Sequence, residues 1–224
     1  MNNSLMFHGL GPIPGFIGEA EARYWLPTQT FARILEAVRA HPAEITFDDG
    51  NLSDVEIALP LLKEAGLAAA FFIPTDRIGL PGYVSEADIH TLQEAGMHVG
   101  SHGCAHIRWT QVSDEAVAQD VGRSIERLSA ILGERVHTVA VPFGDCDLRV
   151  LRVLRRLGVG RVYTSFRGPS ARDAWLVRRD CIMADMTQDT IQNLIARKYT
   201  KADAVLSFLR VWRKTGRAAL WPAA

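Results

Sequence analysis

Residues 44–73 read EITFDDGNLSDVEIALPLLKEAGLAAAFFI. Glu44–Phe47 is a short strand pattern, closed by the turn residues Asp48-Asp49-Gly50. Ser53 is placed to cap a helix running through Glu64, with Glu56 three residues on as its capping-box partner and Gly66 as its stop. Ala68–Ile73 is an unbroken apolar run ended by Pro74, the pattern of a strand buried on both faces of a parallel sheet. Strand, helix and strand in immediate succession form the repeating unit of a parallel α/β fold.

Working outward, the same alternation continues. Ser85 caps a helix to about Ala95, with Gly96 after it, and Met97–Val99 is a short strand. Ser113 opens a long amphipathic helix with Val117, Val121, Ile125 and Leu128 on one stripe. Val136–Val141, Leu148–Leu157 and Val159–Thr164 read as strand, helix and strand, Trp175–Val177 as a further strand, and Thr187–Lys198 and Ala202–Arg213 as closing helices. Upstream, Thr30–Ala40 has helical spacing. The first 30 residues, rich in Gly and Pro, read as a strand at Leu5–His8 followed by a long loop, a kind of segment that is often functional. No repeat or linker interrupts the pattern. The expectation is one α/β domain over residues 1–224, with a core of about 5–185 and closing helices within 187–214. An open doubly wound sheet and a closed barrel give the same local pattern, and both place chemistry at the C-terminal ends of strands.

Lys plus Arg number 25 and Asp plus Glu number 25, a balance that argues against a protein built chiefly to bind nucleic acid. The 48% hydrophobic content excludes a disordered chain. Three scattered cysteines, Cys104, Cys146 and Cys181, do not make a disulfide framework and fit a reducing compartment. No apolar run reaches the roughly 18 residues of a membrane span, and the N-terminus has neither the basic nor the apolar region of a secretory signal. A cytoplasmic protein is therefore expected.

Three segments place unusual polar residues at strand ends. Asp48-Asp49 puts two adjacent carboxylates after a buried strand, which is costly unless a cation neutralises one of them or the turn is solvated. His102 and His106 stand at i and i+4, facing the same way if the segment is a helical turn, a spacing that suits two imidazole ligands on one metal. A carboxylate with two imidazoles fits Zn²⁺, and equally Fe²⁺, Co²⁺ or Ni²⁺. Cys104, between the histidines, reads as a packed thiol. Val141-Pro142-Phe143-Gly144 fixes a tight turn that can aim a backbone N–H into a cleft.

Taken together, these segments resemble the polysaccharide deacetylase family, also called the NodB-homology or carbohydrate esterase 4 family. Thr46-Phe47-Asp48-Asp49-Gly50 matches its first motif, Ser101-His102 through His106 its second, and Pro142-Phe143-Gly144 the core of its third. Ala69–Ile73 is similar to its apolar strand between the first two motifs. The resemblance covers about residues 5–185 and implies a distorted (β/α) barrel. It implies that Asp49, His102 and His106 hold a divalent metal, most simply Zn²⁺. Asp48 would be the general base, and the Phe143 backbone N–H would help hold an oxyanion. The implied reaction is hydrolysis of an N-acetyl group on an amino sugar or glycan; a non-sugar amide substrate and a non-catalytic glycan-binding relative are the competing readings.

The chain departs from the family pattern in three places. Gly103 stands where Ser or Thr usually follows the first His. Ala140 occupies a position where many members have an Arg that orients the base, which leaves Arg167 and Arg178 as candidates because they follow late strands. No His follows His137, so the usual C-terminal acid is absent. A subset of the family opens on a strand ending in Tyr-His, and Met6-Phe7-His8-Gly9 resembles that opening, so His8 is the candidate general acid. The loop of residues 9–27 offers Phe16, Tyr24 and Trp25 either as stacking surface for a sugar or as packing. A cytoplasmic member would meet a lipid-linked, nucleotide-linked or small soluble N-acetyl sugar.

Overall fold

The structure is a computed structural model and describes residues 3–197. Its elements run, in chain order, β1 (Ser4–Phe7), β2 (Gly9–Leu10), α1 (Glu19–Ala22), β3 (Trp25–Leu26), α2 (Thr28–Ala40), β4 (Glu44–Asp48), α3 (Leu59–Ala65), β5 (Ala70–Ile73), α4 (Glu86–Glu94) and β6 (His98–Ser101). Then follow α5 (Asp114–Leu132), β7 (Thr138–Ala140), α6 (Leu148–Arg156), β8 (Arg161–Thr164), β9 (Leu176–Arg178), β10 (Asp180–Cys181) and α7 (Gln188–Ala196). Eight strands form one all-parallel sheet in the order β10-β1-β4-β5-β6-β7-β8-β9. Its two edge strands, β9 and β10, are separated in the chain by one residue, Arg179, so the sheet curls into a nearly closed barrel. The second closing helix expected at Ala202–Arg213 lies outside the described residues.

Strand alternation divides the side chains between two apolar layers. Phe7, Phe47 and Phe71 face outward and stack in register, with centroids 5.4 and 4.9 Å apart, under Phe31 of α2. Each fully buried ring contributes about 1.5–3 kcal/mol of burial. Ala70, Phe72, Ala140, Tyr163 and Val177 face inward and fill the lumen. In β4 the inward positions are Thr46 and Asp48, in register with Ala70 and Phe72 of β5. Polar groups in the lumen therefore arise from the same alternation that builds the outer core. On the outside, α5 presents its stripe of Val117, Val121 and Leu128, all buried, and Ser113 caps it as expected.

One local expectation fails. Ser53 does not cap a helix through a partner at Glu56; residues Asp54–Ala58 form a π-helical turn that leads into α3, and Ser53 itself is helical with no side-chain cap. Its hydroxyl instead accepts from the backbone N–H of Leu10, tying the β2 segment to this turn. The loop of residues 9–27 likewise contains structure of its own, the parallel pair β2–β3 and the short α1. No described helix is long and apolar enough to cross a membrane.

Candidate active site

Asp48 is the last residue of β4 and Asp49 the first beyond it. On a regular strand their side chains would point to opposite faces. Asp49 escapes this with φ of +81°, a left-handed conformation that Asp tolerates better than most residues, and Gly50 follows at +63°. Both carboxylates consequently line one cavity of about 430 Å³ at the C-terminal mouth of the barrel.

Asp48 is only 3% exposed. Arg179, fully buried, grips both of its oxygens at 2.7 Å and also donates to Thr46 Oγ1 at 3.0 Å and to the Thr164 carbonyl at 3.3 Å. Burial opposes the charge on Asp48, but the guanidinium more than offsets it and holds the carboxyl at about 2. The base candidate is thus kept ionised. Arg179 corrects the expectation placed on Arg167 and Arg178. Arg178 points away and donates to the Pro169 carbonyl, and Arg167 is exposed on the cavity wall. The guanidinium of Arg179 lies over the rings of Phe72 and Tyr163, members of the same lumen cluster as Ala140. A small residue at position 140 is compatible with an arginine that enters the lumen from the β9–β10 seam.

His102 and His106 are brought together by a loop, not by the helical turn expected from their spacing. Gly103 has φ of +75° and His106 has φ of +52°. A Cβ at position 103 would overlap Asp120 Oδ2, which explains glycine where Ser or Thr is usual. Asp120, buried on α5, accepts from the N–H groups of Cys104 and Ala105 and from the Trp109 indole, pinning the loop at three points. Cys104 is buried and receives the Thr75 hydroxyl, a packed thiol as expected.

The ring nitrogens have defined roles. His102 Nδ1 donates to the Ala140 carbonyl at 2.9 Å, which leaves the Nε2 lone pair free. That Nε2 sits 3.9 Å from Asp48 Oδ2 and 3.9 Å from Asp49 Oδ1. His106 Nε2 lies 3.1 Å from the same Asp49 oxygen. Asp49 Oδ1 is buried and has no hydrogen-bond partner. An orphaned carboxylate oxygen between two imidazole nitrogens is the arrangement a divalent cation completes, since ligands about 2.0–2.2 Å from a tetrahedral ion lie roughly 3–3.5 Å from one another. Asp49, His102 and His106 form the one group of potential metal ligands of this kind among the described residues. The donor set therefore fits a metal. One contact competes with it. Arg77 Nη2 stands 3.2 Å from His106 Nδ1 and Nη1 stands 3.2 Å from Asp49 Oδ1. Arginine only donates, so Nδ1 of His106 accepts here. Burial and the neighbouring His102 push the His106 imidazole down to about 3, in keeping with a neutral ring.

His8, immediately after β1, lines the same cavity. Its Nδ1 is buried without a partner, and its ring rests on Tyr24 at 4.8 Å. Burial lowers its pKa, while Asp49 and Asp48 pull the other way. Phe143 takes φ of +58° in the Pro142–Gly144 turn and lays its ring against His106 at 4.5 Å. Trp25 serves packing: it is buried, and its indole donates to the Leu10 carbonyl. Tyr24 lines the cavity, and Phe16 is half exposed against Tyr83.

The family model described as polysaccharide deacetylase matches residues 36–162, more than half of the chain, from within α2 to the second residue of β8. The chain belongs to the polysaccharide deacetylase family. Its sequence is 22% identical over 129 residues to YxkH of Bacillus subtilis, covering 58% of this chain and 46% of that one. It is 20% identical over 166 residues to chitin deacetylase 1 of Cryptococcus neoformans, covering 71% and 34%. The chain thus spans less than half the length of these relatives. Among solved structures, the Streptococcus pyogenes deacetylase PplD, in complex with acetate, superposes with a TM-score of 0.76 at 19% identity, over 87% of this chain and 97% of that one. That likeness establishes the shared (β/α) barrel fold.

Proposed function

We propose that this polysaccharide deacetylase family member is a metal-dependent hydrolase that removes an N-acetyl group from an amino sugar. The observation that carries the reading is the orphaned Asp49 oxygen between the two imidazole Nε2 atoms, with a second carboxylate, Asp48, beside it. Asp49, His102 and His106 would hold the cation. A carboxylate held as acidic as Asp48 is a weak base, and a divalent cation supplies the missing chemistry by acidifying water and polarising the acetyl carbonyl.

Asp48 takes the proton from the attacking water at a carboxylate oxygen, and Arg179 keeps that carboxylate oriented and ionised between turnovers. The Phe143 N–H donates to the developing oxyanion, and the tight turn around it fixes the direction of that bond. His8 delivers a proton from an imidazole nitrogen to the departing sugar amine. A neutral ring in the free enzyme must gain that proton before the C–N bond breaks, which Asp48 and Asp49 favour.

The test is acetate release from N-acetylglucosamine oligomers and from simple cyclic amides, after chelation and reloading with Zn²⁺, Co²⁺, Ni²⁺ or Fe²⁺. Hydrolysis of the sugar with metal restored is expected. His102→Ala or His106→Ala should lose both metal and turnover. Asp48→Asn should keep metal and fold while losing about 10²–10⁴ in rate. Turnover of the cyclic amide alone would move the substrate away from sugars. Stoichiometric binding of metal at this site by a variant lacking both histidines would refute the ligand set.

A further inference from the structure

The mouth of the cavity carries more positive charge than removal of a neutral acetyl group requires. Four arginines line it: Arg23, Arg77, Arg108 and Arg167. Arg77 is engaged with Asp49, but the other three are exposed and come from separate segments. Arg23 precedes β3, Arg108 follows β6 and Arg167 follows β8, so they approach the opening from different sides of the barrel. Among the described residues, Arg23 and Arg167 have no carboxylate within ion-pair distance, and Arg108 has only Asp145, at 4.0 Å and itself exposed. Two of the guanidiniums are held in place without being neutralised. Arg108 lies 4.1 Å over the Phe143 ring, and Arg23 lies 5.5 Å over Tyr24 with Nη2 near Met183 Sδ. One exposed carboxylate, Glu21, lines the cavity against them. Asp48 is already matched by Arg179, and Asp49 belongs to the ligand set.

In a chain whose formal net charge is zero, this is a local accumulation. Arginines at a rim, stacked but not paired, are positioned to receive an anion, and the planar fork of donors matches phosphate oxygens two at a time. Resting on the deacetylase reading, we infer that the substrate carries a phosphate or diphosphate adjoining its N-acetylated sugar, read by Arg23, Arg108 and Arg167. Nucleotide-linked and lipid-linked sugars share this chemistry. Phe16 and Leu80, each 50% exposed on the segments around Tyr83, leave an apolar surface that a lipid chain would cover.

The experiment compares N-acetylglucosamine with N-acetylglucosamine 1-phosphate in two assays. The first is equilibrium binding to the metal-free protein, where phosphate cannot gain affinity from a cation in the site. The second is kcat/KM for acetate release by the metal-loaded enzyme. The phosphorylated sugar should be preferred by about tenfold or more in both, the worth of one charge-assisted hydrogen bond. In Arg23→Gln/Arg167→Gln the preference should shrink toward one, whereas the corresponding double Lys variant should retain part of it. Added salt should erode the preference of the unaltered protein. Equal binding and equal turnover of the two sugars would overturn the inference, as would a preference that survives the double Gln variant. Absence of turnover with every sugar and metal would instead overturn the deacetylase reading, and the binding comparison would still decide the anion site. UDP-N-acetylglucosamine and a polyprenyl-diphosphate N-acetylglucosamine in micelles then distinguish the two sources, with a gain on the lipid that Phe16→Ser abolishes pointing to the membrane-borne one.

Discussion

Arg77 makes two contacts that a metal-loaded site does not allow together. Its donor to His106 Nδ1 requires that nitrogen to carry a lone pair, which puts the ring proton on Nε2. Coordination through Nε2 needs the opposite tautomer, with Nδ1–H then facing a guanidinium that has nothing to accept it. Arg77 would therefore have to release His106 for a cation to bind, and its positive charge would oppose entry as well. Arg77→Gln should tighten metal binding by about fivefold, on the order of the 1 kcal/mol expected for charges a few ångströms apart in a solvated site. Arg77→Lys, which keeps the charge, should gain less. Competition with a chromophoric chelator measures both, and unchanged or weaker affinity of the Gln variant would contradict this account. The partner of Asp48 shows the limit of reading at this scale. Arg178 and Arg179 are neighbours at the end of a strand, and a shift of one residue reverses the face to which a side chain points. Nothing local in Val177-Arg178-Arg179-Asp180 says which arginine enters the lumen. Position 179 does so because it keeps the alternation of Val177, which faces the lumen, while Arg178 faces away.

At the scale of elements, the strands and the main helices were legible because each carries its own signal: apolar runs for β4 and β5, a stripe for α5, and Ser85 with Asp88 as a complete capping box on α4. The clustering of Asp49, His102 and His106 was legible for a similar reason, since the motifs that carry them are short and contiguous. What failed depended on partners distant in sequence. Ser53 carries a capping-box spacing, yet the Leu10 N–H takes its hydroxyl and a π-helical turn results. The histidine pair faces one way through a loop that Asp120 organises from another helix. Gly103→Ala would place a Cβ against Asp120 Oδ2 at a positive φ. It should cost about 1–3 kcal/mol of stability, read by urea unfolding, and weaken metal binding. A fully stable, fully metallated Ala variant would show that the loop has another way to close. The π-helical turn buries Asp54, 1% exposed, with Oδ1 unpartnered. Burial, then Asp49 and Asp48, raise its pKa well above the usual 3.8. A carboxyl raised on folding adds stability that is fully present below pH 3.8 and is lost as pH rises through the folded value. Asp54→Asn removes that loss. Its melting temperature should match the parent near pH 3.5 and exceed it by several degrees at pH 8, and a gap that does not change with pH would rule out this origin.

Across the whole molecule, the barrel was foreseen only through the family resemblance, because the strand–helix alternation is the same for an open sheet. Closure is a long-range property: β1 pairs with β10 at the other end of the described chain, and one residue joins β9 to β10 across the seam. Arg179 occupies that seam and reaches β4 through Thr46 and Asp48 and the end of β8 through the Thr164 carbonyl. Arg179→Met would leave a buried carboxylate without its counter-charge, a change that typically costs about 3–5 kcal/mol. Asp48→Asn in the same chain should restore part of it, because a neutral amide tolerates burial better. Denaturant unfolding of the two single variants and the double variant measures the coupling, and a loss under about 1 kcal/mol in Arg179→Met would mean the seam is held elsewhere. The same side chain thus serves both the barrel's integrity and the orientation of Asp48, the proposed base. In a living cell those two duties would fail together. A substitution at the seam would register as protein that is cleared by quality control before its turnover could be assayed, since a destabilisation of even about 1–2 kcal/mol changes abundance several-fold. Inheritance at this position would be governed by proteolysis as much as by chemistry.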